Sequence, residues 1–247
     1  MKNYNADMHI HSNYSFDSTL PINTIIKKEK ELGNSVIAIT DHIEFSRDNL
    51  LKTINTLVRR EKEISELEKE QNILVIRGVE VSEPHLYKEY MEFLRNMECI
   101  EYVIGSIHNI DGKSFRYNKD AVDEYLRLML DMVSNADIDT LAHMDYIKKY
   151  GTKKVLDKGL IDEILTTIIA RGITLEINSS GYRRCGSPFP SIEILERYTE
   201  LGGKNVVIGS DAHKEKELYD GVEKVCEEIK ELKLNKGIVI NKHFKSI

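Results

Sequence analysis

The histidines of this sequence are concentrated at positions where short apolar runs end. Six of the eight histidines follow or close such a run, and acidic residues occupy the equivalent position after others. The candidate ligands collected in this way are His9, His11, Asp41, His42, Glu80, His108, His143, Asp211 and His213. Imidazole and carboxylate groups suit borderline or hard divalent cations. The pattern therefore predicts a multinuclear site for Zn²⁺, Mn²⁺ or iron.

This prediction depends on how many such positions there are. A single histidine near a strand end is more often a hydrogen-bonded loop or core residue than a ligand. His9 and His11, however, are two residues apart around a strand end, and this spacing places both imidazoles on one face. The two other histidines, His85 and His243, are not at such positions and are predicted to be surface or loop residues.

Short apolar runs alternate with longer amphipathic stretches along the chain. The predicted strands cover residues 6–10, 36–39, 73–79, 102–104, 139–142, 174–177 and 206–208. The predicted helices cover residues 22–32, 48–70, 85–97, 120–135, 160–170, 192–201 and 218–232. This alternation predicts an α/β fold of parallel strands and crossover helices, either a barrel or an open doubly wound sheet. A last β-type run at 237–240 is predicted to pack at the edge or bottom.

The placement of the candidate ligands favours the barrel. An open sheet would be expected to carry a glycine-rich phosphate loop after its first strand, whereas His9-Ile10-His11-Ser12 stands there. A barrel places its functional side chains at the C-terminal ends of the strands, which is where the histidines fall. All six would then converge on one mouth.

The composition is that of an ordinary globular protein. The 247 residues, 41% of them hydrophobic, fit one domain over residues 1–247. A net charge of −6 argues against a nucleic-acid surface but leaves room for a small phosphorylated substrate. Cys99, Cys185 and Cys226 have no paired spacing, and no apolar run reaches the ~20 residues that span a bilayer. We therefore expect a soluble cytoplasmic protein.

Taken in order, the motifs resemble those of the PHP (polymerase and histidinol phosphatase) superfamily. They are His9-Ile10-His11-Ser12, Thr40-Asp41-His42, Gly78-Val79-Glu80, Gly105-Ser106-Ile107-His108, Ala142-His143 and Gly209-Ser210-Asp211-Ala212-His213. The resemblance extends from residue 7 to about residue 215. It implies a distorted seven-stranded (β/α)7 TIM-like barrel with three metal ions at the C-terminal ends of the strands.

The resemblance also implies a ligand set for each ion. The first ion would be bound by His9, His11, Glu80 and Asp211. Glu80 would bridge to a second ion bound by His108 and His143, and a third would be bound by His42 and His213. Asp17 stands where some members of the superfamily have a further histidine, although a turn or helix-cap role is the alternative. Asp41 is expected to orient an imidazole.

Several stretches resemble the histidinol-phosphatase branch of the superfamily, namely residues 102–108, 143–150 and 178–183. This implies hydrolysis of L-histidinol phosphate to L-histidinol and phosphate, with a hydroxide held by two of the ions as the nucleophile. Arg183 follows the one predicted strand end without a ligand and is expected to bind the phosphate, with Lys148 as a weaker candidate.

Two further roles are needed around the ions. Asp17, Asp211 or His213 is expected to protonate the leaving oxygen through a water. Because histidinol carries an amine and an imidazole, acidic residues at the rim are expected to select it. The candidates for this selection are Glu44, Glu83 and Asp145.

Two alternatives remain open at this point. Another phosphoesterase of the superfamily, a protein-tyrosine phosphatase or a 3′-end nuclease, would use the same ions. A nuclease would be expected to have a basic track leading to them, and the sequence shows no basic cluster. A non-catalytic metal-binding module is the second alternative, although such modules usually lose several ligands.

Overall fold

In the computed structural model, which describes residues 4–46, 49–110 and 112–247, a central sheet is built from strands alternating with helices. The strands are β1 (Ala6–Ile10), β2 (Val36–Ile43), β3 (Leu74–Ser82), β4 (Tyr102–Ser106), β5 (Asn109–Ile110), β6 (Lys113–Ser114), β7 (Thr140–Leu141), β8 (Thr174–Asn178), β9 (Asn205–Gly209), β10 (Asn235–Ile240) and β11 (His243–Ser246). The sheet order is β1-β2-β3-β4-β7-β8-β9-β10-β11, and every neighbouring pair is parallel except the antiparallel pair of β10 and β11. β5 and β6 form a separate antiparallel hairpin.

The helices follow the strands in the predicted order. They are α1 (Ile22–Glu31), α2 (Leu50–Gln71), α3 (Lys88–Arg95), α4 (Val122–Asn135), α5 (Lys158–Arg171), α6 (Ser180–Cys185), α7 (Ile192–Glu200) and α8 (Val222–Glu228). Local sequence explains their ends, as in α5, where the Asp157 side chain accepts a hydrogen bond from the Leu160 N–H. The same helix ends at Gly172, whose φ of 70° suits the left-handed cap.

The strands lie in the core with both faces covered. Every residue of β1, β4, β7 and β8 is buried, as is typical of parallel strands packed on both sides. Helix α4 buries one face, which carries Tyr125, Leu126, Met129, Met132 and Val133. The functional side chains are therefore confined to the strand ends, where the backbone leaves the core.

Strand β9 is the seventh parallel strand of the sheet, counted from β1. The segment that follows β9 contacts β1. The Asp211 N–H donates to the His9 carbonyl at 2.7 Å, and the His11 N–H donates to the Ala212 carbonyl at 2.9 Å. Buried Asp7 supports this contact by accepting hydrogen bonds from the N–H groups of Ser210 and Tyr219, at 2.9 and 3.2 Å. The two ends of the parallel sheet are thereby brought together at the carboxyl side of the strands.

The fold is thus α/β with a parallel sheet, and the predicted alternation is confirmed. The regular closure of a seven-stranded barrel is not seen in residues 4–46, 49–110 and 112–247, where Ile10 and Ala212 form one isolated bridge between the two ends. In its pairing with β2, on the other side, β1 has a register irregularity between Asp7 and Ile10. Helix α6, the β5–β6 hairpin and β11 were not predicted, and the predicted start of the second helix at residue 48 lies outside the described residues.

None of the helices in the part of the chain that the structure describes is both long enough and apolar enough to cross a bilayer.

Candidate metal centre

The predicted ligands lie together at the C-terminal ends of the parallel strands. His9, His42 and Glu80 belong to the last residues of β1, β2 and β3, and the others follow the ends of β1, β4, β7 and β9. His143 and Asp211 have positive φ values of 22° and 53°, a region that residues with a Cβ rarely occupy. Backbone strain of this kind is concentrated at functional sites, because the surrounding structure holds the side chain in place.

Glu80 is the centre of the cluster. Its side chain is 1% exposed, and its Oε2 lies 3.2 Å from His9 Nε2, 3.4 Å from His11 Nε2 and 3.1 Å from His42 Nδ1. Its other oxygen, Oε1, lies 3.2 Å from His108 Nε2 and 3.0 Å from His143 Nε2. The two carboxylate oxygens therefore face two different sets of imidazoles.

The remaining carboxylates face the other histidines of the cluster. Asp211 Oδ1 lies 3.3 Å from His11 Nε2 and 3.8 Å from His9 Nε2. Asp17 Oδ2 lies 3.4 Å from His42 Nε2 and 3.1 Å from His213 Nε2. Three groups have ligand atoms close enough to share a cation: His9, His11 and Glu80; His42, Glu80 and His108; and His11, Asp17, His42 and His213.

The hydrogen bond that one nitrogen of a ring makes determines whether the other nitrogen is left unprotonated and able to bind a cation. His213 Nδ1 lies 3.0 Å from the carbonyl oxygen of Asp211, which can only accept, so Nδ1 carries a proton. A neutral ring with this tautomer has an unprotonated Nε2, and that atom would face the Asp17 carboxylate at 3.1 Å with no proton between them. His42 Nδ1 is buried and lies 3.1 Å from Glu80 Oε2, but the two atoms do not have hydrogen-bond geometry. Divalent cations would satisfy both positions, so the donor set fits them.

Charge in the cluster is consistent with this interpretation. Burial would raise the pKa of Glu80, but the His42, His108 and His9 imidazoles hold it well below the usual value. Burial would also raise the pKa of Asp211, and His9, His11 and His213 hold it well below its usual range. Burial, reinforced by the charge of His11, lowers the pKa of His42 to about 4. Burial would lower the pKa of His11, but hydrogen bonds to Asp211 and Glu80 raise it to about 9, so without a cation this ring shares a proton with the carboxylates. A divalent cation would take the place of that proton, because imidazole binds a metal ion in its neutral form.

Glu176 is a functional residue that the sequence reasoning missed. Its Oε1 lies 2.5 Å from His9 Nδ1, and its Oε2 accepts the His143 N–H at 2.8 Å. Serine hydroxyls make the equivalent hydrogen bond to the Nδ1 atoms of two other rings. Ser15 Oγ lies 3.0 Å from His11 Nδ1, and Ser82 Oγ lies 2.7 Å from His108 Nδ1. Such contacts fix the tautomer and the direction of a ligand imidazole. The available signal was an acidic residue between Leu175 and Ile177 within a predicted strand, since a buried carboxylate requires partners.

We expect Glu176→Gln to weaken metal binding by roughly 10–100-fold, because the change removes the charge that polarises His9. The glutamine oxygen can still accept one hydrogen bond, so folding should be retained. Competition with a graded series of chelators would measure the apparent metal affinity, with the exposed helical variant Glu196→Gln as control. Unchanged affinity in Glu176→Gln would show that this carboxylate is only a core hydrogen-bond acceptor.

Two predicted assignments near the cluster are corrected by the structure. Asp41 does not contact an imidazole; it accepts hydrogen bonds from Ser12 N, Ser12 Oγ and Arg60 Nη1 at 2.6, 2.9 and 3.1 Å. It thereby fixes the loop that follows β1. His85 is buried beneath α4 and not at the surface, with its Nε2 3.8 Å from Asp131. Its apolar neighbours Pro84 and Leu86 did not reveal this burial, because α4 covers it from elsewhere in the chain.

A cavity of about 720 Å³ lies over the cluster, within the usual range for small-molecule sites. Its lining carries the cationic residues Lys149, Arg183, Arg184 and Lys214. The acidic residues Glu44 and Glu217 also line it, and Glu44 is buried. The cavity therefore offers both positive groups for an anion and acidic groups for a cation.

The predicted phosphate-binding residues have different surroundings. Arg183 lines the cavity, and its Nη2 donates to the Ser210 and Asp211 carbonyls at 2.7 and 3.4 Å. Lys148 does not line it, since its ammonium donates to Asp145 at 2.6 Å. The next residue, Lys149, does line it and lies 4.3 Å from the centroid of the Tyr146 ring.

Two of the three predicted rim acids also have other roles. Glu83 is buried and accepts the N–H groups of His108 and Asn109, at 2.6 and 2.9 Å, so it positions a predicted ligand. Asp145 is buried and accepts the Ser191 N–H at 3.1 Å in addition to its bond with Lys148. Neither lines the cavity, which leaves Glu44 from the predicted set.

Comparisons with known proteins agree with this geometry. A family model described as the PHP domain matches residues 7–180. The chain is 31% identical to the probable histidinol-phosphatase of Thermotoga maritima, over 91% of both chains. It is 28% identical to the histidinol-phosphatase of Lactococcus lactis subsp. lactis, over 98% of both. The fold is similar to the crystal structure of histidinol phosphate phosphatase from Lactococcus lactis with zinc, L-histidinol and phosphate, at TM-score 0.80 and 23% identity, covering 98% of this chain and 99% of that one.

Proposed function

The chain belongs to the PHP domain family, and we propose that it is a metal-dependent phosphomonoesterase that hydrolyses L-histidinol phosphate to L-histidinol and phosphate. The observation that carries this proposal is the arrangement around Glu80, whose two oxygens face separate sets of imidazoles under a cavity with cations and a buried acid. Relatives named as histidinol-phosphatases, which align over nearly their whole length, support the choice of substrate.

We propose that the site holds three divalent ions in a distorted seven-stranded barrel formed by the whole chain as one domain. The ligand sets are His9, His11, Glu80 and Asp211; Glu80, His108 and His143; and Asp17, His42 and His213. The contact between the ends of β1 and β9 supports the closure. Divalent ions would neutralise the phosphoryl oxygens and lower the pKa of a coordinated water towards ~7.

The chain's own side chains then bind and orient the substrate. Arg183 and Lys149 supply positive charge to the phosphoryl oxygens, and the planar guanidinium offers two parallel donors. Asp17 is 37% exposed, more than Asp211 or His213, and we propose that it orients the water that protonates the leaving oxygen. Glu44 faces the cationic part of histidinol from within the cavity.

We expect kcat/KM to be higher for L-histidinol phosphate than for p-nitrophenyl phosphate, phosphotyrosine peptides or 3′-end oligonucleotides. The reason is that a cavity of this size and charge pattern suits a small ester with an anionic and a cationic end. Steady-state kinetics on metal-analysed protein would measure the order. Better turnover of the peptide or the oligonucleotide would favour those activities, and a fully metal-loaded protein without phosphatase activity would favour a binding module.

Glu44→Gln tests whether Glu44 recognises the cationic end of L-histidinol phosphate. We expect KM for L-histidinol phosphate to rise roughly tenfold or more, since a hydrogen bond to a charged group contributes ~1.5–3 kcal/mol. The KM for p-nitrophenyl phosphate should stay within twofold, because its leaving group has no cation. Glu215→Gln, an exposed change outside the cavity, is the control. Equal effects on both substrates would contradict the assignment of Glu44.

A further inference from the structure

The three proposed ligand sets differ in how far they are open to solvent. We call Asp17, His42 and His213 the outer set, because Asp17 is 37% exposed and His213 is 23% exposed. All members of the other two sets are 15% exposed or less, namely His9, His11, Glu80, His108, His143 and Asp211. Water or a competing ligand can therefore reach the outer set directly, and can reach the other sets only after the structure opens.

The outer set also has few ligands that it does not share. In the part of the chain that the structure describes, His11, Asp17, His42 and His213 have ligand atoms close enough to share a cation. His11 and His42 each belong to a second group of this kind, so only Asp17 and His213 belong to this group alone. An ion that left the outer set would therefore take no ligand away from the other two positions.

The ligands of the outer set are fixed less firmly than those of the first set. Asp17 and His213 lie in the loops that follow β1 and β9, whereas His9 and Glu80 lie within strands of the sheet. His9 Nδ1 is 2.5 Å from the buried Glu176 carboxylate, but His213 Nδ1 is 3.0 Å from a backbone carbonyl of its own loop. Hydrogen bonds to a charged group are stronger than those to a neutral one, and loops open more readily than the strands of a core.

The balance of charge makes one of the three ions the weakest bound. The proposed sets contain three carboxylates, Glu80, Asp211 and Asp17, for three divalent ions, so positive charge is in excess. The groups share members, which makes the ions neighbours that repel one another. This repulsion is relieved when one ion leaves, and the ion with the most exposed ligands leaves most readily.

We propose that the outer set binds an exchangeable ion, which equilibrates with free divalent metal while the other two ions stay bound. This inference rests on the proposed three-ion phosphatase site and concerns the regulation of that site. Phosphatase activity follows the occupancy of the outer set, so the enzyme responds to the supply of divalent metal. Asp17 and His213 determine how readily the ion exchanges.

Release of zinc to an excess of the chromogenic chelator pyridylazoresorcinol tests the proposal on protein whose metal content has been measured. We expect two phases, with one equivalent released at least roughly tenfold faster than the other two. Asp17→Asn keeps an oxygen but loses the charge, so it should accelerate the fast phase by roughly tenfold or more and leave the slow phase unchanged. His213→Gln should affect the same phase. Thr19→Ala, an exposed change in the same loop as Asp17, is the control.

Refilling with a second metal would locate the exchangeable position. Zinc-loaded protein that has passed through the fast phase and been freed of chelator should take up one equivalent of Mn²⁺. The phosphatase activity lost in the fast phase should return with it. In crystals of the refilled protein, anomalous difference maps on either side of the manganese absorption edge should place Mn²⁺ beside Asp17 and His213, with no manganese beside His143.

Release of all ions in a single phase, or a manganese peak beside His143, would overturn the exchangeable position. Full activity after the fast phase would overturn the regulation. A wild type that retained only two ions after loading would overturn both this proposal and the three-ion site. The release kinetics and the anomalous maps need no enzymatic turnover, so a protein without phosphatase activity would contradict the proposed function and still show whether the outer set exchanges its ion.

Discussion

Glu80→Gln is expected to remove most of the bound metal and to lower kcat/KM by at least about a thousandfold. Both oxygens of Glu80 face imidazole nitrogens, and the nearest ring nitrogen lies at 3.0 Å from one oxygen and 3.1 Å from the other. An amide keeps one oxygen but turns an NH2 group, a donor, towards the second set of rings. Metal ions contribute several kcal/mol to such reactions, and each 1.36 kcal/mol is a factor of ten in rate. Elemental analysis and steady-state kinetics would measure both effects.

Glu44→Gln is the matched control for metal content, since it changes the same group in the same cavity but belongs to none of the three ligand groups. It should retain the full metal content of the wild type, which we expect to exceed one equivalent per chain. Loss of one ion alone in Glu80→Gln would show that this carboxylate does not bridge. A wild type with less than one equivalent and full activity would rule out the cluster.

Arg183→Ala is expected to lower kcat/KM by roughly tenfold to over a hundredfold. Loss of a charged hydrogen bond to the phosphoryl group removes ~1.5–3 kcal/mol. Inhibition by inorganic phosphate should weaken in parallel, because product and substrate share this group. Arg183→Lys should recover only part of the activity, since the ammonium keeps the charge but loses the planar pair of donors.

The contacts of Arg183 require a separate measurement of metal content. Its Nη2 also donates to the backbone carbonyls of Ser210 and Asp211, and so supports the loop that carries a predicted ligand. If the phosphate role dominates, the metal content of Arg183→Ala will match that of the wild type while phosphate inhibition weakens. Loss of metal with unchanged phosphate inhibition of the remaining active fraction would make Arg183 a residue that holds the loop. Lys216→Ala, an exposed neighbour, is the control.

The sequence was informative wherever chemistry is fixed by position along a strand. A ligand that follows a buried strand is brought to the carboxyl edge whatever the details of packing, so His9, Glu80, His108 and His143 converge as expected. The residues that hydrogen-bond to these ligands could not be predicted in this way. Glu176 reaches His9 from a strand 167 residues further along, and only the order of strands in the sheet makes them neighbours.

The interpretation of Lys148 failed for a local reason. Residues Tyr146–Tyr150 form a 3₁₀ helix, in which successive side chains point about 120° apart. A change of one residue therefore decides whether an ammonium faces the cavity, as Lys149 does, or the buried Asp145, as Lys148 does. Because no helix was predicted at these residues, the sequence could not indicate which of the two lysines faces the cavity.

The backbone contact between the first strand and the segment after β9 also sets when the site can form during synthesis. Asp7 and Ser210, which join the two, are 203 positions apart, so a nascent chain must extend beyond β9 before they meet. Until then His9 and His11 lack Asp211 and His213 as neighbours. A prematurely terminated product that stops before β9 therefore has an incomplete set of the predicted ligands.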